Sequence, residues 1–240
     1  MTIKATNLVK IYDNRTVVNE ISFDVNPGEV VGLLGPNGAG KTTTFYMLVG
    51  LIRANSGKIE LDGVDLTNEP MHKRARAGIG YLPQETSIFR RLTVEENIKL
   101  VLEMNEKLND KQRADKLEEL LNDFGIERLR SVSSVKLSGG ERRRVEIARA
   151  LAASPRFILL DEPFTGIDPI AIKEIQSHIR KLTEKNIGVL ITDHNPKATL
   201  SITDRVNLIF DGKIKISGNS VDVANNPDAK KFYLGEDFIL

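Results

Sequence analysis

Val30-Val-Gly-Leu-Leu34, followed at once by Gly35-Pro36-Asn37-Gly38-Ala39-Gly40-Lys41-Thr42-Thr43, decides how this chain folds. The first stretch is a near-continuous apolar run, the pattern of a parallel strand covered on both faces. The second matches G-x-x-x-x-G-K-[ST] and leads into a helix-compatible stretch, Thr43 to Val49. In that setting Gly35, Gly38 and Gly40 let the backbone curl so that successive N–H groups face phosphate oxygens, and the helix adds its positive N-terminal end. Lys41 is expected to bridge β- and γ-phosphates, Thr42 to offer its hydroxyl to Mg²⁺, and Thr43 to hold the α-phosphate. The bland alternative is a glycine-rich turn with an exposed lysine.

Working outward, two more apolar runs, Phe157 to Leu160 and Val189 to Ile191, carry the same buried-strand pattern and end in polar tips. The first runs into Asp161-Glu162. An acidic pair at the end of a buried strand can divide the work, Asp161 in the Mg²⁺ shell and Glu162 polarising a water for attack on the γ-phosphate. Two solvated acids are the alternative. The first 66 residues otherwise read as short alternating strands such as Ile21 to Val25 and Lys58 to Leu61, forming an antiparallel, half-exposed sheet. Thr93 to Phe124 is charged, with Leu117, Leu120, Leu121 and Phe124 at helical spacing, and predicts a helical insertion. Asp211-Gly212 between Val206 to Phe210 and Lys213 to Ile216 predicts a hairpin.

The expected class is therefore α/β, a phosphate-loop nucleotidase core with a mixed sheet, an antiparallel N-terminal subdomain and a helical insertion. The chain is expected to pack as one unit, with residues 1–92 and 151–240 as nucleotide core and 93–150 as the mainly helical part. With 34 basic and 33 acidic residues the net charge is +1, so no global field draws the chain to nucleic acid or an anionic bilayer. The absence of cysteine excludes disulfides and thiolate metal sites and, with no apolar signal core at Met1 to Lys10, points to the cytosol. No apolar run approaches membrane-spanning length.

Leu137-Ser138-Gly139-Gly140-Glu141 is the next informative stretch. Ser138 and Glu141 form a capping-box pattern, which does not require two glycines, each costing a helix about 1 kcal/mol relative to alanine. Something must approach that backbone closely, and a second phosphate at the helix N-terminus would account for it. Taken together the chain resembles the nucleotide-binding subunit of ATP-binding-cassette transporters over essentially its whole length. Leu137 to Glu141 falls at that family's signature, Gln84 after Ile79-Gly-Tyr-Leu-Pro83 at its glutamine loop, Gly166-Ile-Asp168 at its D-loop, His194 at its switch histidine and Tyr12 at its adenine-stacking ring. The resemblance implies catalytic roles for Glu162, His194 and Gln84, and Mg²⁺ held through Thr42, Gln84 and Asp161. It also implies a homodimer in which Ser138, Gly139 and Gly140 of one copy complete the ATP site of the other.

Within the family, Ser87 to Leu92 and the tail Tyr233 to Phe238 resemble the cassette ATPases that power lipopolysaccharide export. That resemblance implies two integral-membrane permease subunits as partners, attachment to the cytoplasmic face of the inner membrane only through them, and no nucleic-acid partner. Phe89 and Arg90 fall where such subunits receive coupling helices, the alternative being that Phe89 caps the helical part's own core. The D-loop Thr165-Gly166-Ile167 departs modestly from the family pattern. A motor for another lipid or amphiphile, a nucleic-acid or ribosome-associated cassette, and a small-molecule kinase are the competing readings.

Overall fold

The computed structural model describes residues 1–106 and 108–240. Strands β1 (Ile3–Tyr12) and β2 (Arg15–Val25) pair antiparallel across Asp13-Asn14, both at positive φ, the turn geometry that suits a right-twisted hairpin. They are longer than the short strands expected from sequence. With β4 (Ser56–Leu61) and β5 (Val64–Asp65) they form a four-stranded antiparallel sheet in the order β2-β1-β4-β5.

The second sheet contains β3 (Val30–Leu34), β6 (Ile79–Leu82), β7 (Phe157–Asp161), β8 (Gly188–Thr192), β9 (Arg205–Phe210) and β10 (Lys213–Asn219), in the order β10-β9-β3-β8-β7-β6. All neighbours are parallel except the β9–β10 hairpin, which turns at Asp211-Gly212. Every residue of β3, β7 and β8 is buried, as their unbroken apolar runs require. Successive side chains go to opposite faces. Val31, Leu33, Leu159 and Leu190 share a core with Phe45, Met47 and Leu48 of α1 (Lys41–Val49). Ile158, Leu160, Val189 and Ile191 share the other core with Val145 of α5 (Gly139–Ala152) and Ile175 and Ile179 of α6 (Pro169–Glu184).

The C-terminal carbonyls of α1 are met by Arg74 of α2 (Met71–Ala77), a fully buried guanidinium that donates to Met47 O at 2.6 Å and Leu48 O at 2.8 Å. In the helical insertion, α3 (Val94–Glu103) and α4 (Asp110–Asp123) each start at a reciprocal capping box, Thr93 with Glu96 and Asn109 with Gln112. Leu117, Leu120, Leu121 and Phe124 are buried in the same core as Leu82, Ile158 and Leu160, so the insertion and the sheet share one interior. At the other end Tyr233, Leu234 and Phe238 pack against a small cluster around Leu208 and Val223, docking the tail. Among the described residues no helix is long and apolar enough to cross a membrane.

Candidate functional site

Adjacent parallel strands β3, β8 and β7 end on the same edge of the sheet, the edge where open α/β folds bind ligands. The loop after β3 is the glycine-rich stretch. A Cβ at Gly35 would lie 2.1 Å from Ile209 O, so only glycine lets this loop pass β9. Gly40, at φ +104, is the N-cap of α1 and offers no side-chain cap, leaving the first N–H groups of the helix for a ligand. Asn37 and Gly38 are exposed at the loop tip, Pro36 is partly exposed and Ala39 is buried. Lys41 is buried, and its Nζ donates to Gly35 O at 2.8 Å and Pro36 O at 3.0 Å, spanning its own loop. Burial lowers its pKa, with Glu162 and Asp161 opposing. Thr42 and Thr43 occupy the first turn of α1, half-buried.

The loops after β7 and β8 bring the acids and the histidine together. Asp161 is fully buried, and one oxygen, Oδ1, has no hydrogen-bond partner. Burial and the charge of Glu162 push its pKa up to about 6. A hard divalent cation supplies what such a lone buried oxygen lacks, so this donor set fits Mg²⁺. Glu162 turns the chain at φ +49, a left-handed conformation that costs a non-glycine residue about 1 kcal/mol or more. The turn is held by Glu162 N donating to Thr192 O at 2.8 Å. It aims the carboxylate at His194, whose Nδ1 lies 3.1 Å from Glu162 Oε2. Thr165 closes the triangle, its Oγ1 3.2 Å from Glu162 Oε2 and 3.1 Å from His194 Nε2. Behind them buried Asp193 accepts from the backbone N–H groups of Phe164 and Asn195, both at 2.9 Å, which locks the two loops to one another.

Gln84 is exposed on the loop after β6 and makes no side-chain hydrogen bond to Asp161 or Thr42. The loop itself is fixed from α5. Buried Arg143 donates to Pro83 O at 2.9 Å and Asp161 O at 3.0 Å, and pairs with Glu146, which accepts from Ser87 N and Ile88 N. One buried ion pair thus joins the loop carrying Gln84 to the end of β7. Phe89 follows, 47% exposed, with the Arg149 guanidinium 4.9 Å from its ring centroid. Its backbone is pinned in both directions by Asn97 of α3, so Phe89 is presented outward instead of capping the helical core. Arg90 is exposed beside it.

Ser138 caps α5 reciprocally with Glu141. The two glycines separate in role. Buried Gly140 faces Ala171, where a Cβ would come within 2.6 Å of the alanine's own, so the missing side chain lets α6 of the same chain pack close, while Gly140 also borders the cavity beside Ser138. Gly139 is exposed, with Gly166 O 3.3 Å from where its Cβ would stand. The cavity beside Ser138, lined also by Asp168, Glu174 and His178, shares no residue with the phosphate loop. Leu137 packs into the core on one face of the large sheet and Ala39 into the core on the other, so within one chain the signature stretch and the phosphate loop belong to separate surfaces.

Residues 18–165 match the family model described as ABC transporter. The chain belongs to the ABC transporter family. The cassette is 56% identical over 236 residues, 98% of both chains, to the lipopolysaccharide export system ATP-binding protein LptB of Haemophilus influenzae. Its fold matches an ATP-binding cassette of an ABC transporter solved in its ADP conformation, at a TM-score of 0.87 and 28% identity over 98% of this chain and 100% of that one. A cassette solved as a dimer in a post-hydrolysis state with ADP and phosphate matches at a TM-score of 0.79 and 26% identity, covering 91% of this chain and 98% of that one.

Tyr12 closes β1 in this cassette, half exposed, with Lys10 Nζ 4.9 Å from its ring centroid. Sequence reasoning missed Arg143, Glu146 and Asp193. A charged residue fully inside the protein breaks the usual pattern, and only the three-dimensional contacts reveal what pairs with it.

Proposed function

We propose that this cassette is the ATP-hydrolysing motor of a transporter that extracts lipopolysaccharide from the inner membrane for delivery to the outer membrane. The observation that carries the motor reading is the separation of the phosphate loop, with its acids, from the Ser138–Gly139 surface on the same chain. Each is half of a site, and two copies related by a two-fold axis supply both missing halves at once. The cargo is supported by the full-length identity to the protein named for that export system. Two integral-membrane permease subunits would then hold the homodimer on the cytoplasmic face, with Phe89 and Arg90 on the contact surface.

In this reading Lys41 and the N–H groups of the loop and α1 bind the phosphates, and Tyr12 stacks on adenine. Thr42, Asp161 and Gln84 would hold Mg²⁺, which when bound offsets the charge that builds on the phosphate oxygens. Glu162 accepts a proton from the attacking water, and its contacts with His194 and Thr165 set the direction of the carboxylate. Ser138, Gly139 and Gly140 of the second copy bring N–H groups and a hydroxyl to the γ-phosphate, so ATP draws the copies together and hydrolysis releases them.

The test is Glu162→Gln with ATP and Mg²⁺, followed by light scattering after size exclusion. A dimer that reverts to monomer when ATP is exchanged for ADP is expected, while a monomer at saturating ATP, with nucleotide bound, would overturn the clamp. For cargo, mass spectrometry of chains that co-purify from solubilised membranes should find two different permease subunits; a single permease of another class removes lipopolysaccharide and keeps the motor.

A further inference from the structure

Asp161 stands at the end of β7 with a strand on either side, β6 and β8. Its register partner on β8 is Thr192, and Tyr81 on β6 pairs with Leu159. Alternation puts Tyr81, Leu159, Asp161 and Thr192 on one face, the face covered by α1, whose first residues are Lys41 and Thr42. Tyr81 O–H donates to Asp161 Oδ2 at 3.4 Å. The contact is long for O–H···O, so its information lies in placement: it marks which carboxylate oxygen faces β6.

On the other side two buried oxygens lack partners. Asp161 Oδ1 and Thr192 Oγ1 are both unpaired, on residues 0% and 1% exposed. A buried polar oxygen without a hydrogen bond is costly, and two at register-paired positions on one face mark a place for a shared polar guest. Mg²⁺ keeps several waters when it binds protein, and neighbouring strands stand about 4.8 Å apart, a separation that one water bridges.

We infer that Tyr81 and Thr192 are positioning residues of the cation site, Tyr81 pinning Asp161 Oδ2 so that Oδ1 faces the cation, and Thr192 holding a water of the cation's shell. This rests on the nucleotide and Mg²⁺ reading above. The experiment titrates a fluorescent ADP analogue into wild type, Tyr81→Phe, Thr192→Val and Thr192→Ser, each with Mg²⁺ and again with EDTA. Second-sphere groups change metal affinity by about tenfold or more. The ratio of the two Kd values should therefore fall about tenfold in Tyr81→Phe and Thr192→Val, with the EDTA value unchanged, and Thr192→Ser should restore it. A ratio equal to wild type, or equal weakening with and without Mg²⁺, overturns the inference; wild type with no Mg²⁺ dependence overturns instead the reading on which it rests.

Discussion

Arg143 and Asp161 show what single side chains contribute when they are buried with charge. Removing Arg143 leaves Glu146, 3% exposed, without its cationic partner and frees two backbone carbonyls at once. Breaking a buried pair from one side costs about 3–5 kcal/mol. Arg143→Ala should lose stability of that order in urea unfolding, and Glu146→Gln, which can keep a hydrogen bond, should lose less. Asp161 carries the opposite sign. Its folded pKa of about 6 lies above the ordinary value of 3.8, so between those pH values the folded chain holds a proton that the unfolded chain has released. Stability of the nucleotide-free protein is therefore expected to fall as pH rises through that window, by on the order of 3 kcal/mol. Asp161→Asn should flatten that part of the profile and raise the melting temperature at neutral pH, while abolishing the Mg²⁺ contribution to nucleotide affinity.

Helix α5 tests whether its two leading glycines serve one purpose. Alanine favours a helix by about 1 kcal/mol over glycine, but at 140 its Cβ would collide with Ala171 and force α5 from α6, an overpacking cost of about 1–3 kcal/mol. Gly140→Ala should lower the melting temperature. Gly139→Ala, at an exposed position, should leave melting nearly unchanged and weaken ATP-driven dimerisation, measured by light scattering. Legibility from sequence also divides by element. The runs of β3, β7 and β8 are readable because burial on both faces leaves no polar position to confuse. β1 is not readable: Asn7 at φ +48 and register shifts after Ala5 and Leu8 break the alternation of Ile3, Ala5 and Leu8. The phosphate loop, Asp161 and Glu162 are legible as local patterns after strands, and His194 only through the family resemblance. Tyr81, Arg143 and Thr192 are not, since what each does depends on a neighbour brought near by strand pairing or by the packing of α5.

At the scale of the assembly, a site divided between copies predicts complementation. Lys41→Ala loses its phosphate contact but keeps a sound signature surface, and Ser138→Arg does the reverse. Each alone should be inactive as an ATPase. Mixed in equal amounts they form about half heterodimers, each with one intact site of two, and should recover up to about a quarter of wild-type activity. Recovery absent despite confirmed heterodimers would place both halves of the site on one chain. The interior shared by the helical insertion and the sheet has a further consequence for how the chain comes apart. Because Leu117, Leu120 and Leu121 lie among Leu82, Ile158 and Leu160, neither part keeps a closed core when the other melts. Amides of α4 and β7 should exchange with deuterium through a common opening, and a peptide of residues 93–150 made alone should stay largely unstructured.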